Sequence, residues 1–167
     1  MADIKDVATY TVFRLLQNGN TICHLKLQKI LYYLQAWYLV YFDHNLLFED
    51  APEAWVNGPV YRVIYDIYKD QGMFTQFSMG TVIPHGEDEK NFIERLLSAM
   101  DLSDDDLDFT EAIYKHYGAM SHDYLVFLTH SQQPWNEARK GLQPFEYTNE
   151  KISFDVMYNY YSDALKK

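Results

Sequence analysis

Residues 24–42, HLKLQKILYYLQAWYLVYF, place apolar side chains around nearly the whole circumference of a helix. Only Lys26, Gln28, Lys29 and Gln35 interrupt the pattern firmly. A helix that is apolar on every side is enclosed by protein or lies in lipid. A membrane span needs about 20 unbroken apolar residues. The run falls short of that, and Lys26 and Lys29 occupy its first two turns. The stretch is therefore expected to be the buried central helix of a folded domain.

The rest of the composition suits such a domain. A chain of 167 residues fits one domain with one core. Its 15 Tyr and 10 Phe supply enough apolar area to exclude disorder. Tyrosine-rich surfaces also make contact patches, because they join area to a polar tip. The formal net charge of −10 argues against direct binding of nucleic acid, whose affinity comes largely from Lys and Arg neutralising phosphates. It suits a basic protein partner. The single cysteine, Cys23, permits no intramolecular disulfide and points to the cytoplasm. The opening MADIKDVATY has no basic region followed by an apolar core, so no signal peptide is expected.

Start and stop signals divide the chain into seven or eight helices. Asp3 is placed to cap a helix over residues 4–18, with Gly19 as its stop. Thr21 or Cys23 opens the central helix, which runs to about Phe42. Leu46–Phe48 and Ala54–Val56 are expected to pair as a small two-stranded ribbon. Pro59 suits the first turn of the next helix, whose face carries Val60, Ile64, Ile67 and Tyr68. Residues 73–86 read as an irregular surface loop. Beyond it, Phe92, Ile93, Leu96, Leu97 and Met100 form one apolar face. Ser103 and Asp106 form a capping box for a helix that Gly118 ends. Ser121 caps another over about 122–130, Pro134 opens one to about Lys140, and Ile152–Ala164 gives the last. The expected fold is mainly α, a single compact domain over residues 1–167.

Candidate chemistry is sparse. The six histidines, His24, His44, His85, His116, His122 and His130, form no HExxH pattern, and no CxxC exists. Neither a metal nor a cofactor is expected. A cysteine nucleophile would rest on Cys23 at a helix N-terminus, with a histidine such as His130 brought to it by the fold. The acidic run at 101–108 lacks the glycine and closing glutamate of a calcium loop. Gly58-Pro59 is no phosphate cradle, since it has one glycine and proline removes a donor. Two polar groups remain. Lys26, Gln28 and Lys29 stand at the head of an otherwise apolar helix and need solvent or a buried partner, such as Glu53. His130, Pro134 and Trp135 mark a helix–helix corner, with His130 as a C-terminal cap and Trp135 as an anchor.

Three stretches resemble the Panacea domain of SocA-like and GepA-like antitoxins. They are LKLQKILYYLQAWYLVYF (Leu25–Phe42), EAWVNGPVYRVIYDIYK (Glu53–Lys69) and YGAMSHDYLVFLTHSQQPWNEAR (Tyr117–Arg139). The N-terminal DVATYTVFRLL is also similar. Cys23-His24, Tyr38 and the residues after Val60 depart from the family pattern. The resemblance implies a helical antitoxin of a toxin–antitoxin pair, often carried by a prophage or other mobile element. Such a protein binds its cognate toxin directly, and one branch presents the toxin to a cytoplasmic protease. It is not an enzyme. The motif residues Lys26, Gln28, Lys29, Trp55, Gly58, Pro59, His130, Pro134 and Trp135 are the candidates for partner contact. The competing expectation is a metal- or cysteine-dependent enzyme of a mobile element, using Cys23 and histidines.

Overall fold

Helix α2, His24–Tyr41, is the spine of the molecule, with 15 of its 18 residues buried in the computed structural model, which describes residues 1–167. Cys23 is its N-cap and Phe42 its C-cap. No helix is long and apolar enough to cross a membrane. Around the spine pack α1 (Ile4–Gln17), α6 (Asp104–Tyr117), α7 (His122–His130) and α9 (Phe154–Leu165). The remaining helices are α3 (Arg62–Tyr68), α4 (Met79–Val82), α5 (Glu89–Met100) and α8 (Gln133–Ala138). A 3₁₀ turn, Lys69–Gln71, extends α3. The fold is thus mainly α and a single compact domain, with nine α-helices instead of seven or eight.

The expected caps form the expected ends. The Asp3 carboxylate accepts from the Lys5 N–H and opens α1. At the other end Gly19 adopts φ +82°, and the N–H groups of Gly19 and Asn20 return to the carbonyls of Leu16 and Leu15. Ser103 and Asp106 close their capping box at 3.0 and 3.1 Å. Ser121 and Ser153 cap α7 and α9. One apolar core joins these helices, built largely on Leu27, Ile30, Leu31, Leu34 and Ala36 of α2.

Four expectations require correction. The ribbon pairs β1 (Glu53–Trp55) with β2 (Gly58–Val60), not Leu46–Phe48 with Ala54–Val56. Gly58 takes φ +107°, which lets the chain reverse through Val56 and Asn57 directly. Pro59 therefore lies in a strand, and α3 begins at Arg62. On α3, Ile64 and Tyr68 are buried but Ile67 faces outward. Finally, residues 73–86 are not wholly irregular. Met79–Val82 close a helical turn with a capping box between Ser78 and Thr81. The segment is also tied to the start of α2, where Leu25 N–H donates to the Met73 carbonyl and Phe77 N–H to that of Ile22.

Candidate functional site

The three motif stretches meet at the β1–β2 hairpin. A lone two-stranded hairpin is marginal in water, and its outer backbone groups need partners when buried. Here side chains from distant parts of the sequence supply them. From α2, the Lys29 ammonium donates to the Pro59 carbonyl at 3.0 Å. One helical position earlier, Gln28 grips Tyr61 twice, accepting from its N–H at 2.8 Å and donating to its carbonyl at 3.3 Å. From α8, the Trp135 indole N–H donates to the Trp55 carbonyl at 2.8 Å. Just beyond it, Arg139 donates to the Ala54 carbonyl at 2.8 Å and to the carbonyls of Gln143 and Glu146. The free edge of β1 is covered by the segment before α9, since Ala54 N–H donates to the Glu150 carbonyl and Ile152 N–H to that of Pro52.

Gly58 sits at the centre of this clamp. A Cβ there would stand 2.7 Å from Lys29 Cε and 2.9 Å from Thr129 Oγ1. The glycine thus serves both the turn and the close passage of α2 and α7 behind it. Lys29 is fully enclosed, and Pro59 supplies its one hydrogen bond. Burial drives its ammonium down to about pH 7, against a smaller opposing influence of Cys23. His24 is enclosed too. Burial and then the nearby Lys29 charge push its pKa down to about 4. Its ring lies against Tyr65 and Tyr68, and its Nε2 is 3.1 Å from Gln28 Nε2.

Lys26 points the other way. Its ammonium binds the carbonyls of Thr21 at 2.7 Å and Gly118 at 2.5 Å, so it ties the head of α2 to the end of α6. Neither lysine pairs with Glu53, contrary to the expected ion pair. Glu53 is taken by a two-pronged contact with Arg62, both arms at 3.0 Å. Buried ammonium groups need acceptors, and backbone carbonyls left open by turns and helix ends meet that need without a second buried charge.

At the α7–α8 corner the residues divide the work differently from expectation. His130 does not cap α7. Its ring stacks on Trp135 at 4.0 Å. The Ser131 hydroxyl binds the Leu128 carbonyl, while Asn136 binds those of His130 and Gln132. Pro134 is buried in the first turn of α8. Gln132, Arg139 and Arg62 were not singled out from the sequence, yet all three are central. The Gln132 side-chain carbonyl accepts from Tyr33 at 2.8 Å and Tyr161 at 2.6 Å, joining α2, α9 and the corner. Arg62 lies over the Trp55 ring at 4.9 Å and donates to the Tyr147 hydroxyl. The run PWNEAR carried the signal for Arg139, which falls one helical turn after Trp135.

Of the nine candidate residues, Lys26, Gln28, Lys29, Gly58, Pro59 and Pro134 are buried, whereas Trp55, His130 and Trp135 are partly open. The residues of the competing expectation are dispersed among aromatic neighbours. Cys23 is buried at the bridge to Gln76, His44 stacks on Tyr158, and His116 packs on Tyr117. No three His, Cys, Asp or Glu side chains form a group that could hold a metal ion.

The family model described as "Antitoxin SocA-like, Panacea domain" matches residues 27–136. That interval takes in most of α2, the hairpin and the α7–α8 corner. No curated protein and no solved structure matches the chain.

Proposed function

Because the chain belongs to the SocA-like, Panacea-domain family of antitoxins, we propose that it neutralises a protein toxin by binding it directly. The observation that carries this reading is the family match across residues 27–136. The clamp is consistent with it. Lys26, Gln28 and Lys29 make their hydrogen bonds inside the chain, so they fix a frame that holds surfaces rigidly enough to be recognised. A rigid surface loses less freedom on association than a mobile one. On this reading the protein acts as a stoichiometric binder and not as a catalyst, inside the cytoplasm and without contacting nucleic acid itself. Its net charge of −10 suits a basic partner.

The test is genetic. Each open reading frame flanking the gene is expressed alone and then with this chain. One flanking product should stop growth alone and be tolerated with the chain present. A set of flanking products none of which is toxic would remove the antitoxin reading for this member.

A further inference from the structure

A second feature lies away from the hairpin, where the C-terminal end of α2 emerges beside α6. Trp37, Tyr41 and Phe42 of α2 and Phe109, Ala112 and Ile113 of α6 line an open recess of about 640 Å³, its two sides meeting where Phe109 packs on Tyr41 and Phe42 at 5.9 and 5.6 Å. Tyr41 is 59 % exposed at the end of an otherwise buried helix. Along α6, Asp105, Phe109, Ala112 and His116 follow one another on a single face. They span three turns, about 16 Å of helix. The recess is therefore a groove, long enough to take another helix lengthwise.

The polar atoms of its floor are already used. Trp37 N–H donates to the Tyr117 hydroxyl at 2.7 Å, and the Tyr38 hydroxyl beneath donates to Asp106 at 2.8 Å. The floor thus offers a partner apolar surface and few hydrogen bonds. The rim offers charge. Asp105 lines the recess, and Asp104 and Asp108 stand beside it on α6; all three are exposed and none forms an ion pair within the chain. A groove that is apolar at the bottom and acidic at the edge matches an amphipathic helix with lysine or arginine flanking its apolar stripe. A second copy of this chain fits poorly, because it would bring the same aspartates to the same rim.

We propose that the α2–α6 groove is the docking site for a basic amphipathic helix of the toxin, its apolar side chains packing on Trp37, Ala112 and the paired rings of Tyr41 and Phe109, and its cations beside Asp105 and, one turn on, Asp108. This rests on the antitoxin reading and assigns it a surface distinct from the motif residues.

The probe is an 18-residue peptide with leucine at helical spacing and lysine elsewhere. A matched peptide with glutamate in place of lysine is the control. Amide chemical shifts of the full chain report where each binds. The lysine peptide should move residues 37–42 and 105–117 and bind at least tenfold more tightly than the control. Ala112→Arg, on the outer face of α6, should weaken binding tenfold or more. Asp105→Asn with Asp108→Asn should weaken it severalfold and flatten its salt dependence. Tyr41→Ala is the second variant should Ala112→Arg lower the melting temperature. Shifts outside the groove, equal binding of both peptides, or indifference to Ala112→Arg and Tyr41→Ala would overturn the proposal. So would a homodimer of the chain alone that these substitutions dissolve. The same variants separate the two readings in the co-expression assay. If wild type and Ala112→Arg both restore growth, the groove assignment fails and the antitoxin reading stands. If the lysine peptide fills the groove but no flanking product is neutralised, the antitoxin reading fails, and the toxin as occupant with it.

Discussion

The Lys29 side chain runs past Gly58 so closely that a Cβ on the glycine would lie 2.7 Å from Lys29 Cε, and its ammonium ends on the carbonyl of Pro59 at 3.0 Å. The central helix and the hairpin are therefore locked through a fully buried amine whose one protein partner is a neutral carbonyl. Removing either half of this contact should disturb the other.

Gly58→Ala tests the contact from the hairpin side. Alanine would be strained at φ +107° and would press on Lys29 and Thr129. A loss of about 2–4 kcal/mol is expected from backbone strain and overpacking together. Urea unfolding measures it. Lys29→Ala should lower the cost of Gly58→Ala in a double-mutant cycle, because it removes one of the two clashing side chains. Simple additivity would mean that Lys29 does not confine the glycine.

The same lysine gives the protein an alkaline stability gain. Burial lowers its pKa from 10.5 to about 7. Between those values the unfolded chain binds the proton more tightly than the folded one, so stability rises with pH. The gain is complete above pH 10.5 and lost as pH falls to about 7, and is on the order of 5 kcal/mol. His24, lowered from 6.5 to about 4, acts likewise in acid. Its contribution, about 3 kcal/mol, is present above pH 6.5 and lost as pH falls to about 4. Unfolding free energies measured from pH 4 to 10 should show both rises. Lys29→Met should abolish the upper one, and parallel profiles above pH 7 would contradict the assignment.

Arg139→Lys should cost about 1–3 kcal/mol, since an ammonium cannot reach the carbonyls of Ala54, Gln143 and Glu146 with one planar fork. Trp135→Phe keeps a ring against His130 but strands the Trp55 carbonyl, costing about 1–2 kcal/mol. Thermal melts of the two variants check both values. An unchanged melting temperature for Arg139→Lys would show that the hairpin edge does not depend on the guanidinium.

Much of this frame is local and could be read in advance. Asp3, Ser103 and Ser121 mark helix starts because a side-chain oxygen meets a nearby N–H, an event contained within three residues. The burial of α2 follows from its composition. The hairpin register did not, because Pro59 is equally at home in a helix's first turn and in an edge strand, and only contact with α2 decides. The partners of Lys26 and Lys29 escape a sequence reading for a related reason. A search for opposite charge favours Glu53, whereas the structure uses carbonyls from residues 92 and 30 positions away. The α2–α6 groove was invisible in sequence, since Tyr41 and Phe109 become neighbours only when the helices pack.

If this antitoxin-family chain silences its partner by physical contact, the two must bind each other in isolation. Titration calorimetry of the purified chain into the purified flanking toxin, in the absence of any protease, tests it most directly. Binding should saturate at a fixed stoichiometry and be weakened tenfold or more by Ala112→Arg. A toxin that the chain neutralises in cells but does not bind in the calorimeter would contradict silencing by contact.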